Sequence, residues 1–216
     1  KKGDGATSCY LVEDKETRII LDMGAGTLSR ILKKIEVEKI DAIFLSHIHF
    51  DHTSDLLPFR YLLDDIGIPI TIYTHYVDSE WYRILLTHPK FNVVNIDETS
   101  KIKLKDLELS FYKMTHPVPN YAIKIAGTKT LVYTGDTVYN DNILIACKDT
   151  DLLLADCCKK QNFAGPHMTV DDAIVIHKKT GVKILATHLN PDYSPEQFFM
   201  PYPEISVAKE GMTYTI

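Results

Sequence analysis

Long apolar runs are missing from this chain of 216 residues. A membrane-spanning helix needs about 20 consecutive apolar residues, and no stretch approaches that length, so we expect no membrane partner. An excess of positive charge is missing too, since 24 Lys and Arg stand against 29 Asp and Glu, for a formal net charge of -5. The sequence therefore lacks the broad basic surface by which proteins hold nucleic-acid backbones.

Cysteine is scarce, and its spacing excludes a disulfide scaffold. The four residues Cys9, Cys147, Cys157 and Cys158 form no CxxC pair and none of the regular spacings of a secreted disulfide framework. We predict reduced thiols in a cytoplasmic protein, with Cys157 and Cys158 buried and inert. No signal-peptide pattern is visible, although the sequence begins at Lys1 without a methionine.

Short strand-like runs alternate with helical patterns along the whole sequence. The strand-like runs are 9–13, 18–22, 41–46, 69–74, 107–116, 121–127, 130–136, 151–156 and 182–188. Helical patterns cover 26–36, 53–65, 78–86, 141–148 and 169–181, the last with Thr169 as N-cap and Gly181 at its end. This alternation predicts an α/β protein with sheets between helical layers. Because no linker or internal repeat is visible, we predict a single domain over residues 1–216.

The stretch FLSHIHFDHTSD, residues 44–55, places His47, His49, Asp51 and His52 directly behind an apolar run. Neutral imidazoles are the commonest protein ligands of zinc-like metals, and carboxylates complete such sites. In extended backbone, His47 and His49 point the same way and can bind one ion. Since Asp51 and His52 can address a neighbouring position, two metal ions are the better interpretation.

Further candidate ligands follow other predicted strands, where a rigid scaffold presents functional groups. They are His116 after FYKMT, Asp136 in TGDT and His188 after ILAT. With these three the sequence offers seven candidate ligands. A bridging Asp136 would give each ion four protein contacts, or three and a solvent molecule.

The motif SHIHFDH, followed in order by THPVP, YTGDT and ATHLNP, resembles the ligand motifs of the metallo-β-lactamase-fold hydrolases. The resemblance covers essentially the whole chain and implies a four-layer αββα sandwich that holds two divalent ions. Zinc is the expected metal, with manganese and iron as alternatives, because His/Asp sites accept all three. One ion would be bound by His47, His49, His116 and Asp136, and the other by Asp51, His52, Asp136 and His188.

Within that superfamily the sequence is most similar to ribonuclease Z and its smaller phosphodiesterase relatives. The resemblance implies attack by a hydroxide held between the ions, with Asp51 orienting it or accepting its proton. It also implies that His167, in GPHMT, donates a proton to the leaving alkoxide and is oriented by Asp156. The family has Glu where this chain has Asp156, whose side chain is one methylene shorter.

The substrate is less determined than the metal site. No long Gly/Lys-rich insertion resembles the arm by which the tRNA-processing members grip RNA, so a small phosphodiester or nucleotide is as good a hypothesis as RNA. A lactonase, thioesterase or β-lactamase on the same scaffold is an alternative, as is a non-catalytic metal-binding protein. A homodimer is left open. We interpret His75, His88 and His177 as structural or surface residues, and Asp22 as a support for the metal loop.

Overall fold

The computed structural model describes residues 5–158, 165–190 and 195–216. These residues form two compact units, each with its own sheet. The N-terminal unit contains the described residues up to Ile96 together with Leu104–Asp106, and the C-terminal unit contains Asp97–Lys103 and the described residues from Leu107 onward. The prediction of a single domain stays a prediction.

The described part of the N-terminal unit contains a sheet of five strands in the order β1-β2-β3-β4-β5. β1 pairs antiparallel with β2, and the pairs β2–β3, β3–β4 and β4–β5 are parallel. The four neighbouring parallel strands β2 to β5 therefore end at one edge of this sheet. The strand bounds are Tyr10–Asp14 (β1), Thr17–Leu21 (β2), Ala42–Phe44 (β3), Ile70–Thr74 (β4) and Phe91–Asn95 (β5).

Helices cover one face of this five-stranded sheet. They are α1 (Leu28–Ile31), a 3-10 turn (Val37–Lys39), α2 (Phe50–Thr53), α3 (Leu56–Ile66) and α4 (Glu80–Leu86). The buried residues of α3 recur at a spacing of three and four, which places them on one side of the helix. The core contains Leu56, Phe59 and Leu63 of α3, Leu85 of α4, and Ile43 and Ile72 of the sheet.

The second sheet has seven strands within the described residues, in the order β12-β11-β10-β9-β8-β7-β6. The four strands β9, β10, β11 and β12 are parallel, whereas β7, β8 and β9 pair antiparallel. The strand bounds are Lys101–Leu104 (β6), Leu107–Met114 (β7), Asn120–Ala126 (β8), Thr130–Tyr133 (β9), Leu152–Asp156 (β10), Lys183–Thr187 (β11) and Ile205–Val207 (β12).

The helices of the C-terminal unit are α5 (Asp141–Ala146), α6 (Val170–Thr180) and α7 (Glu196–Phe199). Their buried residues share a core with the sheet, which includes Ile143 of α5, Ala173 and Ile176 of α6, and Leu153 and Ile184 of the strands. The sequence prediction for α6 is confirmed at both ends. Thr169 is the N-cap in a capping box with Asp172, and Gly181 ends the helix in the left-handed conformation at φ 72°.

All nine strand-like runs of the sequence form strands. The structure adds β5, β6 and β12, which are short and lie at sheet edges. Their outer residues are exposed, so these segments lack the apolar run by which the other strands were found.

The predicted helices 26–36 and 53–65 differ most from the structure. The pattern over 26–36 forms a helix only over Leu28–Ile31, and the pattern over 53–65 overlaps two helices, α2 and α3. Pro58 lies in the first turn of α3, where its missing N–H has no helical partner to lose. None of the helices in the described ranges has the length and apolar character that crossing a bilayer requires.

The capping box yields a stability prediction. Thr169 Oγ1 accepts the Asp172 N–H at 3.2 Å, and Asp172 accepts the Thr169 N–H at 2.8 Å. Thr169→Ala removes the hydroxyl acceptor and should lower the free energy of unfolding by about 1 kcal/mol, a fall in Tm of roughly 2–4 °C by calorimetry. Thr169→Ser keeps the acceptor and should retain the wild-type Tm; equal losses in both variants would contradict the assignment.

Candidate metal centre

The carboxyl edge of the N-terminal sheet gathers polar side chains from three neighbouring strands. Asp22 directly follows β2, Ser46 and His47 come two and three residues after β3, and His75 follows β4. Because these strands are parallel neighbours, the segments after them lie side by side. Asp22, Ser46, His47 and His75 are all buried.

The Asp22 carboxyl group connects these segments. Its Oδ1 accepts the Ser46 N–H at 2.7 Å, and its Oδ2 accepts the Ser46 hydroxyl at 2.8 Å. The same Oδ2 lies 2.7 Å from Nδ1 of His52. A fully buried carboxylate needs donors, and here Ser46 and His52 supply them. The sequence hypothesis that Asp22 supports the metal loop fits these contacts.

These hydrogen bonds set which nitrogen of each imidazole can coordinate a cation. Since His52 donates from Nδ1 to Asp22, its lone pair is on Nε2. The Ser46 hydroxyl gives its proton to Asp22, so its oxygen accepts from Nδ1 of His47, 3.0 Å away. The lone pair of His47 is therefore also on Nε2. Such hydrogen bonds typically orient metal-binding histidines.

His47 and His49 are arranged as a chelating pair. Nε2 of His47 lies 3.1 Å from Nδ1 of His49, and two nitrogens bound to one tetrahedral zinc at 2.0–2.1 Å would be about 3.3 Å apart. The ring of His52 is 4.1 Å from that of His47, centroid to centroid. The six-residue motif thus brings three imidazoles close together, and the binding of one ion by His47 and His49 stays a prediction.

Asp51 lies in the first turn of α2, and its carboxylate is 3.6 Å from Nε2 of His52. Two other segments hold the backbone of this turn. The Asp51 carbonyl accepts the N–H of Ser8, which precedes β1, at 3.1 Å, and the His52 carbonyl accepts the N–H of Met23, in the loop after β2, at 2.7 Å. Gly24 allows this approach, since a Cβ there would lie 1.8 Å from the Asp51 carbonyl oxygen.

His75 also lies at this edge, although the sequence analysis interpreted it only as a structural or surface residue. It is buried, and burial lowers the pKa of its imidazole from 6.5 to about 4, while the charge of Asp22 acts in the opposite direction. Its position directly after a strand-like run, like that of the ligand candidates, was the sequence feature that indicated a place at this edge. His88 and His177 are structural, since His88 lies 3.2 Å from Asp64 and His177 3.8 Å from Glu204.

The C-terminal sheet has an equivalent edge. Asp136, Asp156 and His188 lie at or just after the carboxyl ends of β9, β10 and β11, which are parallel neighbours. Nε2 of His188 is 3.3 Å from Oδ2 of Asp136 and its Nδ1 is 3.8 Å from Oδ1 of Asp156. Asn120 donates to the backbone carbonyl of Asp136 at 2.7 Å. This buried amide fixes the loop after β9, a role that the sequence did not reveal.

The shorter Asp156 side chain does contact His167. Nδ1 of His167 lies 2.8 Å from Oδ2 of Asp156, and the carboxylate also accepts the Thr137 N–H at 3.0 Å. Burial raises the pKa of Asp156, and the hydrogen bond from His167 acts to lower it. The imidazole of His167 stacks on that of His188 at 4.8 Å.

His116 lies two residues after β7, at the same edge of the sheet, and its Nδ1 is 3.1 Å from the Pro166 carbonyl oxygen. Because a carbonyl only accepts, this nitrogen carries the proton and the lone pair of His116 is on Nε2. The C-terminal unit thus presents His116, Asp136, His167 and His188 beside one another, with ring centroids of His116 and His167 5.7 Å apart.

The four cysteines are free thiols, as predicted. Burial raises the pKa of Cys9 and of Cys147 to about 12, and it raises that of Cys157 as well. Cys158 differs from the prediction of a buried residue, because it is half-buried. Its Sγ lies within 4.8 Å of ring nitrogens of His167 and His188.

The donor chemistry in both units fits divalent metal ions. Each unit offers imidazole nitrogens whose other ring nitrogen is bonded to the protein, together with carboxylate oxygens. This is the ligand set of zinc, manganese and iron sites. Crowded imidazoles gain little from one another, whereas a cation between them would satisfy several lone pairs.

Residues 17–188 match the family model described as the β-lactamase superfamily domain. The chain belongs to the β-lactamase superfamily. The probable metallo-hydrolase YhfI of Bacillus subtilis is 30% identical over 227 residues, covering 97% of this chain and 92% of that protein. The crystal structure of YhfI superposes with a TM-score of 0.89 at 28% identity, over 98% of this chain and 92% of the other.

The chain is also similar to more distant proteins. Ribonuclease Z of Methanopyrus kandleri is 26% identical over 121 residues, which span 55% of this chain and 43% of that protein. The structure of a diphosphatase from the PhnP family has a TM-score of 0.78 at 18% identity, over 96% of this chain and 83% of that one. The predicted α/β class and metallo-β-lactamase fold are thereby confirmed.

The Asp22 contacts predict an effect on metal affinity. Asp22→Asn keeps the size of the side chain but cannot accept hydrogen bonds at both atoms, so His52 or Ser46 loses its partner. We expect divalent metal affinity, measured by competition with a chromogenic chelator, to fall roughly 10- to 100-fold. Asp65→Asn makes the same charge change at an exposed position of α3 and should bind metal like the wild type. Unchanged affinity in Asp22→Asn would contradict the role.

Proposed function

We propose that the protein is a phosphodiesterase with two divalent metal ions, expected to be zinc, that acts on small nucleotide diesters or RNA. The ligand sets follow the order of the family motifs. One ion is assigned to His47, His49, His116 and Asp136, and the other to Asp51, His52, Asp136 and His188. The single observation that carries the proposal is the Asp156–His167 pair beside Asp136 and His188, since hydrolysis of an alkyl ester needs a proton donor at the leaving oxygen.

The bound ions would supply the positive charge that activates water at neutral pH and stabilises the entering and leaving oxygens of a diester. The side chains would orient the attacking water and the metal-binding rings. Asp51, whose carboxylate is 44% exposed, is assigned to orient the attacking water or to accept its proton. Asp22 and Ser46 hold His47 and His52 in the ring orientation that coordination requires.

His167 is assigned as the proton donor to the departing alkoxide. Its Nδ1 is bonded to Asp156 at 2.8 Å, so a protonated imidazole would carry its second proton on Nε2. The Asp156 carboxylate stabilises the charged imidazole and fixes the ring plane, because Asp156 is itself held by the amide of Thr137. His167 is only partly buried, with 15% of its side chain exposed, which leaves it accessible to a substrate.

The names of the relatives support phosphoryl chemistry, since they include a ribonuclease Z and a diphosphatase. The net charge of -5 favours a short diester over a large folded RNA, because phosphate contacts depend on Lys and Arg. An acyl hydrolase remains the alternative on the same scaffold, because one fold supports many chemistries. The cytoplasmic location and a homodimer stay predictions.

The reaction class can be tested with a substrate panel. The protein, loaded separately with zinc and with manganese, is offered an aryl phosphodiester, an acyl lactone and a chromogenic β-lactam. We expect turnover of the diester alone, with kcat/KM lowered by at least about 100-fold in Asp51→Ala, which removes a group assigned to the water. Asp65→Ala, an exposed carboxylate on α3, should retain wild-type kinetics.

Lactone turnover without diester turnover would replace the proposal by the acyl-hydrolase alternative. Failure on all three substrates with metal stoichiometrically bound would favour a non-catalytic metal-binding protein.

The assignment of His167 predicts a dependence on the leaving group. Methyl p-nitrophenyl phosphate releases the stable p-nitrophenolate, whereas a dialkyl diester such as a dinucleotide releases a basic alkoxide that needs a proton. His167→Ala should lower kcat for the dinucleotide by roughly 10²- to 10⁴-fold and for the aryl ester much less. Equal losses for both substrates would indicate that His167 only steadies the loop, as a structural role would affect both alike.

A further inference from the structure

Phe50 is an apolar side chain in an unexpected place. The residue is 62% exposed, although it lies in sequence directly between His49 and Asp51, two assigned metal ligands. Exposed single apolar residues are common on surfaces. The position of this one between two ligand candidates makes it a candidate for contact with a substrate at the centre.

The ring of Phe50 does not stand alone. It packs edge-to-face on Trp81 of α4, with centroids 4.4 Å apart and an interplanar angle of 74°. The indole N–H of Trp81 donates to Thr53 Oγ1 at 3.4 Å, and the Thr53 hydroxyl donates to the His49 carbonyl at 2.8 Å. The two aromatic rings are therefore tied to the same short turn that carries His49, Asp51 and His52.

We infer that Phe50 and Trp81 form a stacking site for a planar aromatic group of the substrate, a nucleobase, next to the metal ligands. Every base presents a π face, so stacking binds bases with little sequence preference and without basic residues. This suits a chain whose net charge is -5. An edge-to-face pair holds the exposed ring in a fixed orientation before a ligand arrives, which lowers the entropic cost of stacking.

This inference rests on the proposed function, because it names the substrate class of the same centre. It adds a preference that the metal chemistry alone does not give. Of two phosphodiesters with the same leaving group, the one whose other ester group carries a base should have the higher kcat/KM.

The kinetic test compares the p-nitrophenyl ester of thymidine 5′-monophosphate with methyl p-nitrophenyl phosphate on the zinc-loaded protein. Both release p-nitrophenolate, so they differ only in the nucleoside arm. The ratio of kcat/KM, nucleoside ester over methyl ester, should fall roughly 5- to 150-fold in Phe50→Ala, the effect of losing one base–aromatic contact. Phe50→Tyr retains a π face and should restore the ratio.

Tyr61→Ala is the matched control, because Tyr61 is an aromatic residue 78% exposed on α3. Its ratio should equal that of the wild type. A drop in Tyr61→Ala as large as that in Phe50→Ala, or an unchanged ratio in Phe50→Ala, would overturn the stacking site.

A binding test needs no turnover. Trp81 is the only tryptophan of the chain, so fluorescence excited at the long-wavelength edge, where tyrosine does not absorb, reports on this site alone. Titration with adenosine 5′-monophosphate should change the Trp81 emission in a saturable way, whereas ribose 5-phosphate, which has the phosphate but no base, should not. In Phe50→Ala the midpoint for the adenosine compound should rise by a similar factor.

The two tests separate failure of the site from failure of the proposed function. A saturable fluorescence change with adenosine 5′-monophosphate and no turnover of any diester would support the stacking site and reject the phosphodiesterase. Turnover of both diesters at a ratio that Phe50→Ala leaves unchanged, with no fluorescence change, would reject the stacking site and leave the phosphodiesterase in place.

Discussion

The site in the N-terminal unit depends on one buried carboxyl group. Asp22 is fully buried, and burying a carboxylate without donors is costly. The Ser46 amide, the Ser46 hydroxyl and His52 supply donors to it. Each of these bonds fixes a segment that carries a ligand candidate, so the same energetic demand that stabilises Asp22 also orients two imidazoles toward a common point.

In the C-terminal unit, Asp156 is the corresponding buried carboxyl group that needs hydrogen-bond donors. This buried carboxyl group accepts from the Thr137 amide and from His167, and it thereby joins the ends of two adjacent strands, β9 and β10, to the loop before α6. In both units a polar side chain at the carboxyl edge of parallel strands is held by its neighbours along that edge. The folding pattern places the groups, and the buried carboxylates determine which way they face.

The sequence was informative where burial leaves a strong pattern. Strands buried on both faces read as continuous apolar runs, so every such run was a strand and the polar residues behind them were found. Edge strands such as Lys101–Leu104 alternate with exposed residues and left a weaker signal. Where α2 ends and α3 begins, just before Pro58, depends on tertiary packing, which helix propensities alone do not predict.

Side-chain partners were the least predictable part of the site. Asn120 and His75 have no motif of their own, and their roles depend on which strands become neighbours. The Asp156–His167 contact was predicted only from the resemblance to the family, and the length of the Asp156 side chain alone did not determine whether the two groups meet. The backbone positions determine it, because Asp156 ends β10 and His167 lies in the segment before α6.

His75 also makes the stability of the N-terminal unit depend on pH. Its pKa is lowered from 6.5 to about 4 in the folded chain, so the unfolded chain binds a proton more readily. The stability associated with the neutral ring is complete above pH 6.5 and declines as acid takes the solution toward pH 4. Acidification from pH 6.5 toward pH 4 would thus lower the free energy of unfolding of the N-terminal unit through a residue that directly follows β4, the strand next to β3.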